Sequence, residues 1–210
     1  LSGIQDFTNL ENLDVSNNVL TTINLITNTS LRLLNLSYNQ LTNLDIGENV
    51  VLTDLNVGNN SLTLLDVTQN DELVNLYANS NQLVNFDINQ NDKLKRLHLD
   101  DNALEIVYLS NGANRTITDI TLNNNPDLIC ITVDEVDYST TNWTARDAAA
   151  SYSLNCNSVW EVYVTDDTLE ETLKTEIQGL DNDGDGKITI EEALLFTGDL
   201  DLNGKSIDNI

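Results

Sequence analysis

Residues 10–109 are one short pattern repeated five times, every 21 residues, from Leu10, Leu31, Leu52, Leu73 and Leu94. A fixed period of this length excludes an ordinary globule. Each unit is too short to bury its own apolar face, so neighbouring units must stack into a solenoid. Within each unit the apolar positions are one, four, six, eleven, fourteen and sixteen. The second unit supplies Leu31, Leu34, Leu36, Leu41, Leu44 and Ile46; the fifth supplies Leu94, Leu97, Leu99, Leu104, Val107 and Leu109. The spacing LxxLxL thus occurs twice per unit, and its last two apolar residues alternate as in a short strand with one buried face. Each coil is expected to carry two extended segments. These would pair with the next coil into two parallel sheets, about 4.8 Å per coil, with the apolar positions between them.

Position nine is always Asn: Asn18, Asn39, Asn60, Asn81 and Asn102. Asn recurs at position nineteen as Asn28, Asn49, Asn70 and Asn91. An amide turned inward at a bend can pair backbone groups of its own and the next coil, which the bend would otherwise leave unpaired. Both ladders therefore read as structural.

The pattern LxxLxLxxNxLxxLxLxxN resembles the leucine-rich repeat family, in a short bacterial variant with two nested half-repeats. The resemblance covers roughly residues 4–133. A degraded lead-in, 4–9, precedes the regular units. A sixth unit follows a two-residue insertion: Ile117, Ile120, Leu122 and Asn125, then Leu128, Ile131 and Val133, with Pro126 at the turn. Drift at both ends fits terminal coils that act as caps. The stretch 125–156 is similar to the disulfide-closed caps of secreted bacterial leucine-rich repeat proteins. This resemblance implies a Cys130–Cys156 disulfide rather than two buried thiols, and with it an extracellular or bacterial cell-surface setting. Closing a loop of about 27 residues would contribute roughly 3 kcal/mol and hold the Trp143 segment over the open end of the core. The expected fold is a repeat solenoid over 1–157, with its cap at 134–157, followed by a second unit over 158–210.

Charge narrows the partners. The chain has 210 residues, with 34 acidic against 9 basic and a net charge of −25. Phosphate contacts need Lys and Arg, so nucleic acid is excluded and an anionic membrane surface is disfavoured. Divalent cations, basic partners or plain solubility all suit such acidity. No apolar run spans a bilayer and no signal peptide is present. The first residue is Leu and already reads as repeat, so the expectation is a piece of a longer chain.

Composition changes at about Ser158. Leu169, Leu173, Ile177 and Leu180 recur at helical spacing, and Asp166, Asp167, Glu170 and Glu171 enrich the first turn of that helix, over 168–179. Residues 181–192 then read as a complete EF-hand calcium loop. Asp181, Asp183 and Asp185 place oxygens at loop positions one, three and five. Gly186 allows the sharp turn, Lys187 offers its carbonyl, Ile188 anchors the loop, Thr189 reaches the ion through water, and Glu192 closes the sphere. Four carboxylates this close would repel without Ca²⁺. Residues 199–205 imitate a second loop, but Ser206 and Ile210 stand where the anchor and the bidentate acid are needed. That tail resembles a segment leading into a fresh block of repeats, so further blocks of the same parent chain are possible partners.

Two outward rows carry the remaining candidates. On the first sheet, position five runs Asp14, Asn35, Asn56, Tyr77, His98 and Thr121, with Asn75 and Arg96 beside it. Tyr77, Arg96, His98, Asn56 and Asn75 form either a small binding patch or a solvated face. On the second, Asn24, Asp45, Asp66, Asp87 and Tyr108 line up; the aspartates hold cations, meet a basic partner or are merely screened. The pattern places no nucleophile beside His98, and a flat repeat face lacks a deep pocket. The expectation is a non-catalytic recognition or adhesion module that meets a protein or polysaccharide. The alternatives are a structural spacer in a large adhesin and an accessory region of a secreted polysaccharide-degrading enzyme. Titration calorimetry should find one strong calcium site, abolished by Asp181→Ala or Glu192→Ala; undiminished binding in Glu192→Ala would remove the assignment.

Overall fold

The computed structural model describes residues 3–156, within a compact unit assigned to Leu1–Leu154 and the start of a second, Asn155–Ile210. The helix and loop expected over 168–192 and the tail after them lie outside the described residues.

The first sheet is built as the repeat demands. Its strands are β1 (Asn12–Asp14), β2 (Leu33–Asn35), β3 (Asp54–Asn56), β4 (Asn75–Tyr77), β6 (Arg96–His98) and β8 (Asp119–Thr121). They pair in parallel in the order β1-β2-β3-β4-β6-β8. Between them in the chain lie β5 (Asn85–Asp87) and β7 (Ile106–Leu109), which begin the second sheet. It continues with β9 (Cys130–Val133) and β10 (Ser151–Ser153), in the order β10-β9-β7-β5. The central residue of each first-sheet strand points inward. Leu34, Leu55, Leu76 and Leu97 are buried there against Leu41, Leu62, Leu83 and Leu104 from the opposite wall. The first coil is the exception. Leu10, Leu13, Val15, Leu20 and Ile23 are only partly buried, because β1 has a neighbour on one side alone.

The second wall departs from the expectation. Coils one to three have no strand there; single bonds such as Gln40 N–H to Leu20 O and Ser61 N–H to Leu41 O join them. The ladder begins at coil four, with Phe86 opposite Val107 and Val107 opposite Ile131. Those later coils bring Phe86, Ile106, Val107, Tyr108, Ile131, Thr132 and Val133, the aromatic and β-branched side chains that fill a pleated surface. The earlier ones bring Leu65, Asn24, Asp45 and Asp66 instead.

Both asparagine ladders exist, and they reach backwards rather than forwards. Asn39 Nδ2 donates to Leu36 O of its own coil (2.9 Å) and Val15 O of the coil before (3.0 Å). Its Oδ1 accepts the Leu20 N–H at 3.0 Å. Asn60, Asn81 and Asn102 repeat this set, and Asn125 repeats it across the insertion. At position nineteen the amide bonds the preceding coil alone: Asn49 Nδ2 to Leu25 O and Asn28 O, Asn70 to Ile46 O and Asn49 O. Asn28 does the same to Ile4 O and Phe7 O, so the lead-in serves as the coil before the first. Between the ladders sits an unforeseen regularity. Position eight is left-handed in all six coils, at Asn17, Tyr38, Asn59, Ser80, Asp101 and Asn124, with φ of 55 to 58°. Asn and Asp visit this region most readily after Gly, which explains most of the residues found there; Tyr38 and Ser80 hold it under strain.

The cap imitates a coil without its sequence. After α1 (Val136–Asn142), Leu122 N–H donates to Ala145 O (2.7 Å) at the edge of the first sheet, while β10 pairs with β9 at the edge of the second. Trp143 is 3% exposed, and its Nε1–H donates to Ile117 O at 3.2 Å. Tyr152 packs edge-on to it, centroids 6.0 Å apart, and donates its hydroxyl to Trp143 O at 2.6 Å. Cys130 and Cys156 are buried and disulfide-bonded.

Two outcomes follow from these contacts. Asn81→Ala leaves the Leu62 N–H unpaired in the interior and takes one of two amide donors from each of the Val57 and Ala78 carbonyls, and should lower unfolding stability in urea by about 2 kcal/mol; a loss no larger than that of an exposed substitution would contradict the ladder's role. Burial pushes the Tyr152 hydroxyl from 10.0 up to about 12, opposed by the Arg146 charge. The unfolded chain therefore releases this proton first as pH rises. The stabilisation is complete below pH 10.0 and is lost as pH climbs through about 12. Absorbance titration should show one of the six tyrosines ionising late, and Tyr152→Phe should remove that late step.

Candidate functional site

The register of the first sheet turns its outward positions into two straight rows. One row is Asn12, Leu33, Asp54, Asn75, Arg96 and Asp119; the other is Asp14, Asn35, Asn56, Tyr77, His98 and Thr121. Strand spacing of about 4.8 Å brings each residue within reach of its neighbours along a row.

Tyr77, Arg96, His98 and Asn75 come together, around a residue the sequence reading passed over. Tyr77 meets His98 edge-on, with centroids 5.0 Å apart and rings at 79°. His98 Nε2 lies 3.2 Å from Asp119 Oδ1, and Arg96 Nε lies 3.6 Å from Asp119 Oδ2. Arg96 also donates through Nη1 to Asn75 Oδ1 at 3.2 Å, and Asn75 Nδ2 donates to Asp54 Oδ1 at 2.5 Å. A chain of polar contacts therefore runs across β3, β4, β6 and β8, with the Tyr77 ring beside it. Asn56 stands next to Tyr77 in register, but its Oδ1 accepts the Gly58 N–H (3.0 Å) and so shapes the turn. Asp119 stands at position three of the sixth unit, in the row of which the sequence singles out only Asn75 and Arg96 by residue type.

Towards β1 this face opens into a hollow of 490 Å³. It runs from Asp14 to Tyr77 across Leu33, Asn35 and Asp54. Leu33 is 44% exposed there, an apolar side chain in an outward row of polar ones. Asp14 Oδ1 accepts both the N–H (2.9 Å) and the hydroxyl (2.7 Å) of Ser16, and Oδ2 accepts from Asn35 Nδ2 at 3.1 Å. The Ser16 hydroxyl, then its N–H, hold the Asp14 carboxyl below the usual range, so it is charged at neutral pH. Asp54 receives the Thr53 hydroxyl at 2.8 Å besides Asn75. Both carboxylates are thus oriented by uncharged donors.

The aspartates of the second wall are occupied locally. Asp45 accepts the Gly47 N–H (3.1 Å), Asp66 the N–H and hydroxyl of Thr68 (2.9 and 2.7 Å), and Asp87 the Asn89 N–H (2.8 Å). Each closes its own turn two residues on, as Asx residues do. Hydrogen bonds from Thr68, first its hydroxyl, lower the Asp66 carboxyl. Among the described residues no group of three His, Cys, Asp or Glu side chains is placed to hold a metal ion. The expected calcium ligands Asp181, Asp183, Asp185, Lys187, Thr189 and Glu192 lie outside the described residues.

A coil with one parallel strand on each repeat, an inward LxxLxL face and an inward Asn at the turn defines the architecture. It is a parallel-strand β-solenoid, similar to leucine-rich repeat proteins of known structure. Solved structures agree. A functional domain of InlJ from Listeria monocytogenes, described as including a cysteine ladder, matches with a TM-score of 0.53 and 26% identity. The match covers 71% of this chain and 35% of that one. A leucine-rich repeat protein of Leptospira interrogans matches with a TM-score of 0.50 and 22% identity, over 71% of this chain and 44% of its own. The chain spans less than half the length of either. No protein-family model matches, and neither does any curated protein. In this solenoid the inward ladders are of asparagine. Among the described residues no helix is long and apolar enough to cross a membrane.

Proposed function

We propose that this chain is a non-catalytic recognition module of the cell surface or extracellular space, which meets a protein or polysaccharide through the first sheet. The observation that carries this reading is the contiguity of the Tyr77–His98–Asp119–Arg96–Asn75 contacts with the hollow over Leu33. Aromatic rings and arginine dominate the energetics of interfaces, because they bring large contact area together with directional hydrogen bonds. Here they sit on strands fixed by pairing with both neighbours, so little ordering is lost on binding. The leucine-rich repeat neighbours support a role in protein binding, and the buried disulfide supports an oxidising compartment. In the same reading the 181–192 loop binds Ca²⁺ as a structural ion, and residues 158–210 join this block of coils to the next.

The test compares two variants on protein and glycan arrays. Tyr77→Ala/Arg96→Ala should abolish the ligands held by the unaltered chain, and Asp45→Asn/Asp87→Asn on the opposite wall should keep them. Ligands kept by the first variant and lost by the second would move the site to the other wall. An array without any specific ligand would favour the spacer.

A further inference from the structure

The two halves of the first-sheet face differ in how their charge is balanced. On β6 and β8 the Asp119 carboxylate faces both Arg96 and His98. On β1 to β3 the carboxylates of Asp14 and Asp54 are held by Ser16, Asn35, Thr53 and Asn75, all of them neutral donors. No lysine, arginine or histidine lines the hollow between them. An ionised carboxylate can accept about four hydrogen bonds, and Asp54 takes two from its neighbours. The floor between the two acids carries exposed Leu33, whose row neighbours are Asn12 and Asp54. An apolar side chain flanked by two uncompensated negative charges is complementary to one kind of surface.

Resting on the recognition reading above, we propose that this hollow takes an extended protein segment bearing an apolar side chain between two lysine or arginine side chains. In an extended segment, side chains two residues apart share a face and lie about 7 Å apart. Successive coils lie about 4.8 Å apart, so a segment laid across β1 to β3 sets its apolar residue over Leu33 while its cations reach Asp14 and Asp54. A polyanion, or a segment whose only charges are acidic, meets like charge here and is rejected. The other end of the segment passes Tyr77, whose ring closes the hollow.

The experiment uses the full chain and three fluorescein-labelled peptides read by fluorescence anisotropy at low salt. One contains Lys-Ser-Leu-Ser-Lys, one Glu-Ser-Leu-Ser-Glu and one Lys-Ser-Ser-Ser-Lys. The first should bind, the second should not, and the third should bind more weakly. Asp54→Asn keeps the side-chain shape and should weaken the first peptide about threefold to fivefold, the size of one exposed charge pair. Leu33→Ser should erase the difference between the first and third peptides. Asp45→Asn, on the opposite wall, should change nothing. Equal binding of the acidic peptide, or an Asp45→Asn loss as large as that of Asp54→Asn, would overturn the proposal, the latter by showing diffuse attraction to a chain of net charge −25. If no peptide binds while an array ligand still depends on Tyr77 and Arg96, this inference fails and the recognition reading stands. Loss of both would remove the two together.

Discussion

The interaction on which this solenoid rests is a side-chain amide standing in for missing backbone partners. Between two strands of one coil the chain must bend inward, and there its N–H and C=O groups can reach neither the sheet nor water. Asn at position nine meets both needs at once. Its NH₂ ties Leu36 O and Val15 O, its carbonyl takes the Leu20 N–H, and the set recurs from coil to coil. Leu at the same position would fill the space, leave the Leu20 N–H unpaired and strip one of two amide donors from each carbonyl. Gln would place the amide one methylene too deep. The hydrophobic positions make the coils stack; the amide fixes at what height they do so.

Much of this was legible because the repeat states it six times. The inward leucines and the first-sheet register follow from a period of 21 read with the rule that strands alternate, and the cap tryptophan from the resemblance of 125–156 to disulfide-closed caps. What stayed hidden had one of two causes. The left-handed turn at position eight is filled by Asn, Tyr, Asn, Ser, Asp and Asn, a set too mixed for a pattern until the backbone shows that each tolerates φ near 55°. The missing strands of coils one to three go with residues such as Leu44, Leu65, Asp45 and Asp66 where later coils bring aromatic and β-branched side chains, a difference that one shared apolar pattern conceals. The candidate face was legible as a list of outward residues, Tyr77, Arg96 and His98 among them. Its organising residue, Asp119, was not, because one outward aspartate among 34 acidic residues carries no mark until its neighbours Arg96 and His98 are placed beside it.

Outward aspartates serve both walls. Outward Asp on the second wall accepts an N–H two residues ahead, as Asp45, Asp66 and Asp87 do, and is consumed in making a turn. On the first wall Asp14 accepts the Ser16 N–H and hydroxyl in the same way, whereas Asp54 accepts only from the side chains of Thr53 and Asn75. Both line the hollow, where no cationic side chain faces them, so their charge remains available to a partner. An acidic composition spread evenly over the surface thus acquires one place where it is aimed.

The backward reach of the amides gives the stack a direction in time. Apart from Asn18, the asparagines of positions nine and nineteen close onto carbonyls of the coil before, which has already been synthesised when the amide is made. The N–H at position eleven of each coil, such as that of Leu20 or Leu41, is then completed when the asparagine of the next coil arrives. The lead-in at Ile4 and Phe7 supplies the first docking carbonyls, Asn28 latches onto them, and each later turn can latch in order. Growth from the amino end thus proceeds at the pace of translation, with one open coil at a time, and the cap is the last piece to be laid.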